Sequence, residues 1–139
     1  MIWVALALVS AVAGWLLVLR SRLLVVTVHG VSMEPTYHSG DRLLVRRARL
    51  DRVRAGQVVV VQVEASSPDD PTGGRLVKRA VAVPGDPVPP QIPVPGPRVP
   101  VDSLLVLGDN LARSNDSRRL GYLPADALIG VVLRPIGSR

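Results

Sequence analysis

An uncharged apolar run at the N-terminus constrains the fold more than any other feature of the sequence. Residues 2–19 read IWVALALVSAVAGWLLVL, and Arg20 and Arg22 follow at once. Eighteen residues of α-helix span roughly 27 Å, which is enough to cross a thin hydrocarbon core. We therefore expect a transmembrane anchor over residues 1–20, which leaves residues 21–139 for one small domain.

A cleavable signal peptide is the competing interpretation of this run. Ala11-Val12-Ala13 before Gly14 has the small-x-small pattern of a cleavage site. An anchor is favoured because the run has no basic segment before it and continues to Leu19 beyond that site. The two arginines after the run would hold the domain in the cytoplasm by the positive-inside rule. The absence of cysteine is compatible with either side of the membrane.

The rest of the sequence has the pattern of a mostly β domain. Residues 64–74 (EASSPDDPTGG) predict an exposed loop. Residues 84–100 are rich in proline, which cannot donate a ladder hydrogen bond, and predict an extended linker or a sheet edge. Valine-rich runs bounded by Gly, Pro and Asp predict strands at 23–29, 42–46, 58–63, 76–83, 104–107 and 128–133.

The net charge of +6 points to membrane lipid as a partner. Each basic residue near an anionic headgroup contributes on the order of 1 kcal/mol. Nucleic acid is disfavoured, because aromatic residues make up only 3% of the chain and the arginines are scattered. No cofactor and no metal ion are expected.

Lys78 is the only lysine in a chain with sixteen arginines, and it lies in the apolar run LVKRAVAV. A guanidinium cannot be deprotonated in a protein, whereas a buried ammonium loses its proton readily. Desolvation could lower the lysine pKa by several units from about 10.4, and the neutral amine would then be a base. The alternative is an ordinary surface lysine, since most lysines are exposed and solvated.

Ser32 is the candidate nucleophile for such a base. It lies in GVSMEPT, where a turn between strands could expose its hydroxyl and leave backbone N–H groups free for an oxyanion. His29 and His38 are the only histidines, and both lie so close to Ser32 in sequence that they are weaker candidates for the base. A hydroxyl such as that of Ser114 would orient the lysine amine without charging it.

A carboxylate beside the amine would raise its pKa and defeat its role as a base. We therefore expect Asp109 and Asp116 to direct their charge at Arg79 and Arg118, and so to hold the strands that present the site.

Four segments along the chain resemble the motifs of type I signal peptidases and follow one another in the same order. The resemblance implies a membrane-bound Ser-Lys endopeptidase that removes signal or leader peptides from exported precursors after small residues at −1 and −3. Ser32 matches the nucleophile and Lys78 the general base. The matching segments are VSMEPT (31–36), GDRLLV (40–45), KRAVAVPGD (78–86) and residues 108–118, which begin GDN and end SNDSR.

The same resemblance assigns supporting roles. Ser114 matches the hydroxyl that orients the lysine, and Asp116 with Arg118 matches a supporting ion pair. The Ser32 N–H would form part of the oxyanion hole, and Met33 would help to wall the small-residue pocket. Gly30 stands where Gram-negative members carry a serine that completes the hole, so the second donor is left open.

The resemblance also bears on size, side of the membrane and function class. The segment after residue 86 is short, which leaves no space for the accessory β domain of larger members and indicates a minimal, Gram-positive-like form. The family's orientation, with the catalytic domain outside the cytoplasmic membrane, conflicts with the charge pattern, and we follow the family.

The alternatives to a general signal peptidase are a maturation protease dedicated to one secreted peptide or enzyme, and a catalytically silent membrane-anchored binding domain.

Overall fold

The computed structural model describes residues 1–64 and 74–137. The chain begins with α1 (Ile2–Arg22), a helix of 21 residues that is long and apolar enough to cross a membrane. None of its residues is buried against the rest of the protein. A helix that is apolar all round and unburied fits a lipid environment rather than a protein core.

Seven antiparallel strands follow α1 and form one sheet in the order β1-β2-β7-β3-β4-β5-β6. The mostly β fold behind an N-terminal helix is confirmed, and each of the six predicted strands overlaps an observed one. β6 was missed because two residues are too short to show an alternating pattern. The strands are β1 (Leu23–Thr27), β2 (Arg42–Arg47), β3 (Val58–Val63), β4 (Gly74–Ala82), β5 (Ser103–Leu107), β6 (Leu123–Pro124) and β7 (Leu128–Gly137).

Hydrophobic clusters cover both faces of the sheet at β3. Val59 and Val61 belong to one cluster, while Val58 and Val60 belong to the cluster on the opposite face. Side chains alternate between faces along a strand, so a strand that is buried on both faces needs apolar residues at successive positions. This explains why β3 begins with four valines in a row.

The proline-rich segment 84–100 packs against the sheet, so the linker interpretation is wrong. Ile92 and Val99 are each only 3% exposed and form a third cluster with residues of β4 and β5. Two backbone hydrogen bonds close the segment on itself, from Gly85 N to Val99 O and from Val99 N to Asp86 O, both at 2.9 Å. Prolines exclude a regular ladder, but the residues between them still bury side chains. Most of the predicted loop 64–74 lies outside the described residues.

Candidate active site

The loop between β1 and β2 carries Ser32. It is closed at its base by hydrogen bonds from Val28 N to Asp41 O at 2.8 Å and from Gly40 N to Val28 O at 2.9 Å. Met33 is 1% exposed and packs into the cluster that contains Val28. Its burial anchors the loop and leaves the neighbouring Ser32 half-buried. The predicted contribution of Met33 to a substrate pocket stays a prediction.

Lys78 lies in β4 opposite Val59 and is only 3% exposed. Its Nζ donates a hydrogen bond to Ser32 Oγ at 2.6 Å, which joins residues 46 positions apart in the sequence. Burial lowers the pKa of the Lys78 ammonium, and this outweighs the opposing effect of the Asp116 charge. The arrangement places a readily deprotonated amine within proton-transfer distance of a hydroxyl.

The backbone around Ser32 leaves its amide free within the described residues. The Ser32 N–H donates to no acceptor there, whereas the Gly30 N–H donates to Ser39 Oγ at 3.3 Å. Gly30 has φ +80°, a conformation that favours glycine. His29 and His38 are exposed, and across residues 1–64 and 74–137 neither one hydrogen bonds to Ser32. Lys78 is therefore the basic group that the structure brings to the hydroxyl.

Asp116 is completely buried and faces donors on several sides. It receives hydrogen bonds from Arg118 Nε at 2.9 Å, from Arg118 Nη2 at 3.0 Å and from the Gly108 N–H at 3.0 Å. Burial pulls the pKa of Asp116 upward, but these donors outweigh it and hold the pKa below its usual range. The carboxylate thus stays charged, and its charge is directed at Arg118.

Arg79 and Asp109 form a second ion pair, which joins three parts of the site. The pair is bidentate, with Nε to Oδ1 at 2.8 Å and Nη2 to Oδ2 at 2.7 Å. Asp109 also accepts a hydrogen bond from Thr36 Oγ1 in the Ser32 loop at 2.5 Å, and Arg79 donates to Gly56 O at 2.8 Å. The hydrogen bonds from Arg79 lower the pKa of Asp109, so this pair too is charged at neutral pH.

Ser114 lies beside Gly108, and its buried Oγ meets no partner at full hydrogen-bond geometry in the described part of the chain, although it helps to lower the pKa of the nearby Asp116 carboxyl. The structure therefore does not bring Ser114 into a hydrogen bond with Lys78, and its orienting role stays a prediction. A buried hydroxyl without a partner loses about 1–3 kcal/mol of solvation.

Gly108 and Asn110 hold the Ser32 loop, and neither residue was assigned a role from the sequence. A Cβ on Gly108 would overlap Ser114 and would lie 2.6 Å from Ser32 O. Asn110 donates from its backbone N–H to Ser32 O at 2.9 Å and from Nδ2 to Val31 O at 3.1 Å. Both residues stand in the GDN motif, but spacing alone does not reveal a partner so far away in sequence.

A family model described as "Signal peptidase, peptidase S26" matches residues 1–91 and 91–136. This chain belongs to the signal peptidase family. The match confirms the family predicted from the sequence motifs and, at the level of the family, the peptidase class. Together with α1, it indicates that the protein is associated with a membrane.

Relatives in this signal peptidase family cover part of the chain. It is 31% identical over 131 residues to "Probable signal peptidase I-1" of Synechocystis sp., covering 73% of this chain and 65% of that protein. It is 32% identical over 124 residues to "Signal peptidase I" of Leptolyngbya laminosa, with 71% and 61% covered. A 54-residue stretch is 43% identical to the human "Signal peptidase complex catalytic subunit SEC11C", covering 39% of this chain and 27% of that protein. The chain thus spans less than two thirds of the length of these relatives.

Proposed function

We propose that the protein is a membrane-anchored serine endopeptidase in which Ser32 is the nucleophile and Lys78 the general base. The observation that carries the proposal is the 2.6 Å contact between Lys78 Nζ and Ser32 Oγ, made by a lysine that is 3% exposed. A serine hydroxyl is a weak nucleophile until a neighbouring base takes its proton, and a desolvated amine is such a base.

In the first step the Ser32 Oγ attacks the carbonyl carbon of the scissile peptide bond while its proton passes to Lys78 Nζ. The developing oxyanion lies within reach of the Ser32 N–H, which has no other acceptor among the described residues. The Lys78 ammonium then donates its proton to the leaving amine, and the bond to that nitrogen breaks. Water then attacks the resulting ester while neutral Lys78 takes its proton, the bond to Ser32 Oγ breaks, and Lys78 returns the proton to that oxygen.

The two ion pairs support this chemistry by compensating the negative charges of Asp116 and Asp109. Asp116 is saturated by Arg118 and the Gly108 N–H, and Asp109 by Arg79 and Thr36. A free carboxylate beside Lys78 would stabilise the ammonium and raise its pKa. Because both carboxylates are paired with arginines, burial remains the larger effect on the pKa of Lys78.

The substrates we propose are exported precursors, cleaved after small residues at −1 and −3 of a signal or leader peptide. Support comes from the relatives named as signal peptidases and from α1, which would hold the domain at a membrane surface. We place the domain on the extracytoplasmic side of the cytoplasmic membrane, where the cleavage sites of exported precursors emerge. Single-pass anchorage by α1 is tested by resistance to alkaline carbonate extraction.

The test is cleavage of a panel of unrelated secretory precursors by the full chain in detergent. Lys78→Arg keeps charge and approximate length but removes the base, so it should abolish cleavage. Arg119→Lys is the matched control, because it exchanges the same two residue types on the exposed surface and should cleave normally. Appreciable turnover by Lys78→Arg overturns the Ser-Lys proposal. Cleavage of only one precursor would instead support a dedicated maturation protease.

A further inference from the structure

A pocket of about 750 Å³ lies where the end of α1 meets the sheet. This volume is in the range of small-ligand sites. Its walls come from the last residues of α1, from the end of β2 with the turn that follows, and from Ile129 in β7. The charged residues that line it are Arg22, Arg46, Arg47, Arg49, Asp51 and Arg52.

The pocket is strongly positive, with five guanidinium groups against one carboxylate. That carboxylate, Asp51, approaches Arg49 only at 4.0 Å, and the two side chains are 66% and 91% exposed. An ion pair so exposed neutralises little charge. In the described part of the chain, none of the other four arginines lies within 4.0 Å of a carboxylate. The pocket is therefore suited to an anion with several oxygens, since the planar fork of a guanidinium matches phosphate.

The position of the pocket points to a lipid as the source of that phosphate. Ser21 and Arg22 line the pocket and are the last two residues of α1. The uncharged part of this helix ends at Leu19. If α1 crosses a membrane, the pocket therefore lies at the level of the headgroups. The register of β1 with β2 places Arg46 opposite Leu23, directly after the helix.

Gly130 keeps this part of the sheet closely packed. A Cβ on Gly130 would overlap the Arg46 carbonyl and would lie 2.8 Å from its carbon atom, so only glycine lets β7 approach β2 here. The arginines at the end of β2 are thus held closely against β7.

We propose that this pocket binds the phosphate of an anionic phospholipid headgroup and thereby fixes the depth of the domain at the membrane. The inference rests on the proposed anchorage by α1, and it is independent of the Ser-Lys chemistry. It also gives a role to arginines that the active site does not use.

The test titrates the full chain, in an uncharged detergent at about 0.15 M salt, with dihexanoyl phosphatidylglycerol. Binding to the folded state raises Tm with lipid concentration. Arg46→Gln combined with Arg47→Gln should weaken the apparent affinity about 25-fold, from about fivefold for each arginine. Arg42→Gln combined with Arg119→Gln removes equal charge outside the pocket and should bind as the wild type does.

Two further ligands separate the possible sources of the Tm shift. An equal shift with dihexanoyl phosphatidylcholine, which has no net charge, would overturn the proposal, as would equal affinity for inorganic phosphate alone. Equal losses in the two double variants would show that only net charge matters and would also overturn it.

Two more variants keep this test interpretable. If the Arg46 and Arg47 changes unfold the domain, Arg49→Gln with Arg52→Gln tests the opposite wall. Lys78→Arg should bind lipid normally, so a failed protease assignment is seen separately from a failed lipid site.

Discussion

Replacing Gly108 with alanine tests how the nucleophile is positioned. The φ of Gly108 is not in the left-handed region, so alanine suits the local backbone and the effect comes from space alone. The new Cβ would overlap the Ser114 side chain and would also lie 2.6 Å from Ser32 O, where ordinary contact begins at 3.4 Å. The Ser32 backbone must therefore move by about 0.8 Å, the difference between these distances, or the β5 end must move away from it.

This displacement should affect both stability and rate. Overpacking of a well-packed site costs typically about 1–3 kcal/mol of unfolding free energy, and we expect the upper half of that range because a backbone atom must move. A misplacement of about 1 Å at a reacting group costs on the order of 100-fold in rate. The kcat of Gly108→Ala should therefore fall about 100-fold under conditions in which the variant is still fully folded.

The assay pairs denaturant unfolding with cleavage of a short signal-peptide substrate, both on the full chain in detergent. Gly137→Ala is the control, because a Cβ there meets nothing within 4 Å among the residues that the structure describes. It should match the wild type in both measurements. Wild-type stability and kcat in Gly108→Ala would refute the view that Gly108 holds Ser32 in position.

Three other expectations follow from the site. Ser114→Ala should lower kcat, because the family resemblance assigns its hydroxyl to orienting Lys78, and it should change Tm little, because that hydroxyl makes no full hydrogen bond among the described residues; full activity would remove Ser114 from the mechanism. Asp116→Asn should lower the unfolding free energy by about 3 kcal/mol in urea, because it breaks a buried ion pair. The same change at exposed Asp126 should have almost no effect, and equal losses would contradict the argument. The kcat/KM should rise with pH through the lowered pKa of Lys78, since only the neutral amine accepts a proton; a flat profile up to about pH 10 would contradict this.

Acidification should also destabilise the fold through the same carboxylates. The folded-state pKa values of Asp109 and Asp116 are lowered, so each contributes stability that is fully present above the unfolded value of about 3.9. That stability is lost as pH falls through the folded values. Lys78 also makes the fold less stable as pH falls. Its pKa is lowered by burial, so protonating the buried amine costs stability.

Much of the fold was predictable because burial leaves a direct mark on the sequence. The four valines that begin β3 are buried on both faces, and they stand out as a continuous apolar run. The two-residue strand β6 has no such mark. Residues 84–100 were misjudged because their prolines exclude a ladder, while the burial of Ile92 and Val99 depends on how the segment folds back on β4 and β5.

The site was predictable only where a residue type was unusual for the chain. Lys78 stood out as the one lysine among sixteen arginines, and the structure brings it to Ser32. The close approach of Gly108 to Ser32 and the two hydrogen bonds from Asn110 bring together segments far apart in sequence. No local pattern records such tertiary contacts.

The most direct test of the Ser-Lys account is the pKa of the Lys78 amine itself. Because Lys78 is the only lysine in the chain, lysine labelled with carbon-13 at Cε gives one side-chain resonance, whose shift can be followed with pH by NMR. The account predicts a midpoint below the usual lysine pKa of about 10.4, coinciding with the midpoint of the pH dependence of kcat/KM. A resonance that titrates at the ordinary lysine value would contradict the assignment of Lys78 as the base.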